Sequence, residues 1–232
     1  MTNKEIHSEN PLLKPFTGVY ETAPFGSVKI EHYLPAFDEA IEEARAEIQE
    51  IIDNPDAPTF ENTIVALDLA GEQLNRIQSI FFNLNSAETC DEMQDIAQEV
   101  APKLSDFGND VTLNEKLFAR IKAVYGQLET IDLNTEETTL LEKTYRRFVR
   151  SGANLSEEDK ANYREVTKEL SQLGLKYQQN VLAETNAYEL LITDKKDLSG
   201  LPASIIEMAA QTAKAKGKEG WLFNLQYPSY FP

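Results

Sequence analysis

The sequence predicts a mainly α protein of long antiparallel amphipathic helices, followed by a small C-terminal unit of β-α-β type. Two observations carry this prediction. Apolar residues recur at steps of three and four over most of the chain, which is the spacing of one helix face. Hydrophobic residues make up 41% and charged residues 26% of the 232 positions, so a packed core is expected and wholesale disorder is not. We divide the chain into an extended arm over 1–27, a helical domain over 28–185 and the small α/β unit over 186–232.

Two helices are predicted in the first third of the chain. The first carries glutamates opposite its apolar stripe and ends near Asn54-Pro55, because the residue before a proline avoids helical geometry. The second begins with Thr59 as its N-cap and is expected to continue as one helix to Leu84. The stripes that define them are Phe37, Ile41, Ala44, Ile48 and Ile51, then Phe60, Ile64, Leu67, Gly71, Leu74, Ile77, Phe81 and Leu84.

Four further helices follow by the same criterion. One carries its stripe over 93–111 and is expected to kink at Pro102. Two shorter ones lie over 117–128 and 141–148. A long helix opens at Ser156 and is apolar on two sides, so we expect it to pack against two neighbours. Its main stripe is Tyr163, Val166, Leu170, Leu173, Tyr177 and Val181, with Leu175 and Leu182 lying off it.

The pattern changes after about Thr185. Residues 188–193 and 221–226 have the character of short strands, and an alanine-rich helix is expected between Leu201-Pro202 and Lys216-Gly217. Two strands and one helix cannot bury their own faces well. We therefore expect this unit to be incomplete on its own and to need a further part of the protein to cover it.

The segment 221–232 combines aromatic residues with two prolines and has no charged side chain. Its aromatic residues are Trp221, Phe223, Tyr227, Tyr230 and Phe231. Exposed clusters of this kind mark binding surfaces, so we predict that the segment forms an interface. The alternative is that these aromatic side chains fold back onto the helical core.

Charge and hydropathy exclude several classes of partner. The chain has 39 acidic and 22 basic side chains, a net charge of −17, which opposes binding to the phosphates of nucleic acid or of anionic membranes. No stretch approaches the roughly 18 apolar residues of a membrane span, and the N-terminus lacks the apolar run of a signal peptide. We therefore expect no nucleic acid and no membrane partner, and a cytoplasmic protein if Met1 is the mature N-terminus.

The sequence contains no motif on which we assign a catalytic, cofactor-binding or metal-binding residue. Cys90 is the only cysteine, so zinc sites built on several cysteines are excluded. His7 and His32 are too far apart for an H-E-x-x-H site. We interpret His7 as non-functional and His32 as a packing or hydrogen-bonding residue at the start of the first helix. The glycines form neither a nucleotide-binding motif nor a G-x-S-x-G elbow. The sequon over 154–156 is interpreted as a helix cap.

Three residue clusters have structural interpretations. The glutamates over 42–50 form a solvated helix face. Arg146, Arg147 and Arg150 lie near a helix C-terminus, where they complement the helix dipole, and binding of a carboxylate or an interdomain salt bridge is the alternative. The pair Phe81-Phe82 is expected in the core rather than in a pocket.

Seven short segments occur in an order that is far more specific than any one of them. They are residues 54–63, 101–104, 113–118, 148–153, 180–185, 198–202 and 225–230. The similarity that they mark extends over nearly the whole chain from about Pro11. In this order they resemble the N-terminal part of the thimet-oligopeptidase-like zinc metallopeptidases, and most of all the bacterial peptidyl-dipeptidase and oligopeptidase A branch.

The resemblance implies a mostly helical protein whose two halves flank a deep channel that admits short peptides. In this family the two histidines of H-E-x-x-H and a later glutamate hold the catalytic zinc, and the motif glutamate is the general base. None of these residues has a counterpart here, so zinc is expected only in the full-length parent protein and this chain alone is predicted to be inactive. The expected partners are a C-terminal catalytic half and, in the parent, short peptides. The alternative is a free-standing helical interaction module that binds through its aromatic C-terminal stretch.

Overall fold

A computed structural model of the protein describes residues 10–231. The chain forms two compact units, Met1–Gln172 and Leu173–Pro232, of which residues 10–172 and 173–231 are described. The division falls inside the longest helix. The domain boundaries proposed from the sequence, after 27 and after 185, stay predictions.

The predicted mainly α class is confirmed, with one small sheet in the described residues. The helices are α1 (Tyr33–Asp53), α2 (Ala66–Leu69), α3 (Glu72–Ala87), α4 (Asp91–Thr112), α5 (Glu115–Tyr125), α6 (Thr135–Arg150), α7 (Glu157–Ala187), α8 (Ala203–Ala215) and α9 (Tyr227–Tyr230). The strands are β1 (Leu190–Ile192) and β2 (Trp221–Phe223). Within residues 10–231, no helix is both long enough and apolar enough to span a bilayer.

Helix α1 packs its predicted stripe against α3 and ends before Pro55, as expected. Phe81 of α3 is fully buried and meets the rings of Tyr33 and Phe37 edge-on, at centroid distances of 5.0 and 5.4 Å. Edge-to-face pairs of this kind add to the stability gained by burial. The core assignment of Phe81 is therefore confirmed, whereas Phe82 beside it is only partly buried.

The prediction of one helix from Thr59 to Leu84 was wrong. The chain first forms a π-helical segment, Phe60–Val65, which leads into α2 and then breaks. Ala70 is extended, with ψ 137°, and Gly71 has φ +76°, a left-handed conformation that glycine adopts without strain. The Gly71 N–H donates a hydrogen bond of 2.7 Å to the carboxylate of Glu47. Gly71 occupies a stripe position in the sequence, but it separates two helices.

A second part of the core joins α5 and α6 to the π-helical segment. Leu117 and Ile121 of α5, Leu141 and Phe148 of α6 and Ile64 are all completely buried in one cluster. These helices follow the predicted spacing. Helix α4 runs continuously through Pro102, and the predicted kink there stays a prediction.

The expectation that α7 packs against two neighbours was wrong. Its main stripe is exposed, with 62% of Val166, 64% of Leu170 and 69% of Tyr177 accessible to solvent. In the first unit α7 is held through a polar side instead. Arg164 donates to Asp110 at 2.7 Å, and Lys160 pairs with Glu115 at 3.1 Å.

The second unit has the predicted order of strand, helix and strand. The strands pair antiparallel, with Leu190 opposite Phe223 and Ile192 opposite Trp221, and α8 packs on β2. Both strands are shorter than the sequence predicted. After Phe223 the chain turns, because the Asn224 N–H donates to the hydroxyl of Ser229 at 3.0 Å rather than to a neighbouring strand.

Candidate functional site

His32 is part of a local hydrogen-bonded turn. It is half-buried before α1, and its Nδ1 accepts a hydrogen bond of 3.1 Å from the Lys29 N–H. Its carbonyl oxygen accepts one of 2.8 Å from the side-chain amide of Asn10. This geometry agrees with the hydrogen-bonding role inferred from the sequence. His7 lies outside the described residues.

The described residues do not fit the zinc ion that the resemblance implies for the parent protein. Over residues 10–231, no three His, Cys, Asp or Glu side chains come together in a way that could hold a metal. Cys90 is exposed at the start of α4. We therefore assign no catalytic step to a metal in this chain.

The segment 54–63, one of the seven that carry the resemblance, is organised by the side chain of Asn62. Its Oδ1 accepts hydrogen bonds from the Thr59 N–H at 2.8 Å and from the Thr63 hydroxyl at 2.9 Å. Its amide nitrogen donates to the carbonyl of Ala57 at 3.0 Å, and its own N–H donates to the Thr59 hydroxyl at 3.1 Å. The last contact and the bond from the Thr59 N–H form a reciprocal cap. This cap fixes the entry into the π-helical segment.

Arg120 of α5 holds the same segment from the other side. Only 8% of its surface is exposed, and its guanidinium donates to the carbonyl oxygens of Asn54 at 2.9 Å and Asp56 at 3.2 Å. A third bond of 3.1 Å reaches Oδ1 of Asn62. Arg120 was not predicted from the sequence. One feature of the sequence could have indicated it: Arg120 lies three residues after Leu117, so a cation falls on the apolar face of α5.

The second unit has little core of its own. Its buried hydrophobic residues are Leu198, Ala209, Ala213 and Leu222. Many of its large apolar side chains are exposed instead, namely Leu173, Tyr177, Val181, Leu182, Tyr188, Leu190, Leu191, Leu201, Leu225, Tyr227, Tyr230 and Phe231. Exposed apolar surface on this scale is typical of an interface that lacks its partner.

One face of the small sheet is only partly covered. Leu222 is 2% exposed against α8, and its neighbours Trp221 and Phe223 point to the opposite face because side chains alternate along a strand. Leu190, which lies opposite Phe223, is 47% exposed. Antiparallel sheets with a solvated face normally alternate apolar and polar residues. Neither strand contains a polar residue, so both faces are suited to being covered.

Glu189, just before β1, connects this strand to the segment between α8 and β2. Its carboxylate pairs with Lys216 and with Lys218, which follow α8. The hydrogen bond from Lys216, reinforced by that from Lys218, lowers the pKa of Glu189 to about 2.

A groove of about 180 Å³ lies between α8, β2 and α9. It is smaller than the roughly 300 Å³ at which small-molecule pockets begin.

The known proteins that resemble this chain in sequence are named as peptidases. The chain is 38% identical over 217 residues to the dipeptidyl carboxypeptidase of Escherichia coli K12, an alignment that covers 93% of this chain and 32% of that protein. It is 34% identical over 223 residues to oligopeptidase A of Haemophilus influenzae, covering 96% of this chain and 32% of the relative. A probable cytosolic oligopeptidase A of Arabidopsis thaliana is 27% identical over 239 residues, covering 100% of this chain and 33% of the relative.

No protein-family model matches the chain. The chain spans about a third of the length of the relatives named above. The alignments with these relatives nevertheless include nearly all of this chain. The relatives belong to the branch that the seven ordered segments indicated. The resemblance is therefore confirmed, and the chain is a homologue of the N-terminal part of peptidases in the bacterial dipeptidyl carboxypeptidase and oligopeptidase A branch.

Proposed function

We propose that the chain is the N-terminal, channel-wall part of a zinc peptidase that hydrolyses short peptides, and that a further polypeptide part supplies the H-E-x-x-H zinc site. The observation that carries this proposal is the identity of 34–38% to peptidases over 93–96% of the chain. In this role the helices form one wall of the channel. They limit access by size, so that oligopeptides enter and folded proteins do not.

The exposed apolar surface of α7 supports the proposal that a further polypeptide part covers it. In the first unit the exposed positions of α7 include Val166 and Leu170, and in the second unit they include Tyr177 and Val181. A helix that exposes such a stripe gains stability when another element covers it, at about 25 cal/mol for each Å² of apolar surface removed from water. A catalytic part that covers these residues would complete the fold.

The C-terminal aromatic segment is the part of this surface that we assign to the catalytic half. Tyr227, Tyr230 and Phe231 are 73%, 66% and 65% exposed. Phe231 stacks on Tyr227 at 4.6 Å and meets Tyr230 edge-on at 5.4 Å, so the three rings form one patch. Their exposure supports the interface over the alternative in which they fold back onto the helical core.

Co-expression tests the proposal. The chain is produced together with the two thirds of the Escherichia coli dipeptidyl carboxypeptidase that it does not match, and a quenched fluorescent peptide is the substrate. We expect a complex with chelator-sensitive hydrolysis, and no hydrolysis by the chain alone. Tyr230→Ser with Phe231→Ser should weaken the complex. Tyr20→Ser with Phe25→Ser, which changes two exposed aromatics of the first unit, is the matched control and should not.

Two results would contradict the proposal. One is chelator-sensitive hydrolysis by the chain alone with bound metal that survives dialysis. The other is a monodisperse monomer that ignores the catalytic part and loses helical stability when Tyr230 and Phe231 are replaced. The second result would mean that the aromatic side chains serve the core of this chain.

A further inference from the structure

Helix α6 carries a basic stripe, defined here as Lys143, Arg146, Arg147 and Arg150. These positions are spaced i, i+3, i+4 and i+7, so they fall within an arc of about 100° and extend over about 10 Å of the helix. All four side chains are exposed. The opposite side of the same two turns faces the core, where Phe148 is completely buried. Over these two turns the outward arc of α6 therefore consists of cations alone.

The basic stripe has no carboxylate partner within the described part of the chain. Among residues 10–231, no carboxylate comes within 4.0 Å of any of its four charges. Other cations are paired, such as Arg164 with Asp110 at 2.7 Å and Lys103 with Asp38 at 2.6 Å. The four cations of the stripe stand together on one helix face without a carboxylate partner, in a chain with 39 acidic residues.

The helix dipole explains only part of this arrangement. A cation in the last turn is favourable, which accounts for Arg147 and Arg150 but not for Lys143 and Arg146 one turn earlier. Like charges at i,i+3 and i,i+4 of a helix repel each other and destabilise it. Glu142, placed at i−4 to Arg146, forms no ion pair with it within 4.0 Å. The helix dipole favours two of the four cations, and the guanidinium of Arg147 lies 6.0 Å from the centroid of the Phe148 ring, but no carboxylate of the described residues pairs with the stripe.

We infer that the basic stripe is a docking surface for an acidic polypeptide segment that presents three or four carboxylates within about 10 Å. Guanidinium groups bind carboxylates in a bidentate, planar geometry, and three of the four cations are arginines. Charges are screened over about 8 Å at physiological ionic strength, so a short acidic segment meets the local cations rather than the net charge of −17. A long, uniformly charged nucleic acid would extend beyond the stripe over a chain of net charge −17. This inference does not depend on the peptidase assignment.

Binding of a defined peptide tests the inference. The probe is hexa-L-glutamate, compared with hexa-L-glutamine, and its binding to the full chain is measured by calorimetry at two salt concentrations. We expect saturable binding of one hexa-L-glutamate, weakened by salt, and no binding of hexa-L-glutamine. The triple variant Arg146→Gln, Arg147→Gln, Arg150→Gln should bind about tenfold more weakly, since three exposed ion pairs with the peptide are lost.

A matched triple variant, Lys195→Gln, Lys196→Gln, Lys214→Gln, removes the same charge from exposed and unpaired lysines of the second unit. It should bind hexa-L-glutamate like the unchanged protein. Equal weakening by the two triple variants would overturn the inference, because net charge alone would then control binding. Tighter binding of a single-stranded oligonucleotide than of the peptide would also overturn it. So would a large drop in the melting temperature of the arginine variant, because the stripe would then have a structural role.

Discussion

Replacing Arg120 by Met should destabilise the first unit by about 2–3 kcal/mol. The substitution keeps the length of the side chain and its helix propensity, but it removes three hydrogen bonds from a buried cation to Asn54, Asp56 and Asn62. Hydrogen bonds to charged groups contribute about 1.5–3 kcal/mol each. The net loss is smaller than their sum because Asp56 is exposed and its carbonyl can bind water, and because Met is buried more easily than a guanidinium.

Thermal denaturation followed by circular dichroism measures this effect. A loss of about 2–3 kcal/mol corresponds to a melting temperature roughly 5–10 °C lower for a unit of this size. Arg146→Met is the matched control, since Arg146 lies on the exposed side of α6 and forms no ion pair with the described residues. We expect the control to change the melting temperature by less than about 2 °C. Adding Asn62→Ala to Arg120→Met should cost less than the two separate losses combined, because the residues share one network. Equal melting temperatures for Arg120→Met and the control would refute the role given to Arg120.

Three further predictions follow from local geometry. Gly71→Ala should lower stability by about 1–2 kcal/mol, because φ is +76°, whereas Gly126→Ala, at φ −65°, should cost nothing in denaturation experiments. The pKa of Glu189 is lowered to about 2, below its ordinary value of 4.5, so its contribution is present above about pH 4.5 and is lost as pH falls toward 2. An acid titration followed by the fluorescence of Trp221, the only tryptophan, should show this loss in the unchanged protein and not in Glu189→Gln. In hydrogen exchange, residues 173–231 should be less protected than the first unit, and equal protection would count against a missing partner.

Periodicity in the sequence was sufficient for most of the helical elements. The stripe of α1 predicted both its extent and its buried side, because a single continuous helix packs that stripe against α3. Periodicity led to a wrong prediction at Gly71, which fits the spacing of a helix but has left-handed backbone geometry. Spacing records where a side chain falls on a helix face. It does not record the backbone conformation of a residue without a side chain.

The contacts around Asn62 show a second limit. The segment 54–63 was recognised from the sequence, and Thr59 was correctly predicted as an N-cap. Arg120 was not recognised, since its partners lie about 60 residues away and two of them are backbone carbonyls. Backbone acceptors leave no mark in a sequence pattern. The only local indication was that Arg120, a cation, falls on the apolar face of α5. That position does not show which groups it binds.

Helix α7 shows why a correct stripe can lead to a wrong packing prediction. Spacing identified the residues that share a face, but what covers them depends on the rest of the fold. In the first unit, partly exposed ion pairs such as Arg164 with Asp110 hold the helix, and such pairs contribute only about 0–1 kcal/mol each. Burying one Leu or Val side chain contributes about 1.5–3 kcal/mol. Covering Val166 and Leu170 would therefore stabilise α7 more than the ion pairs do, which is why we expect a partner on its apolar side.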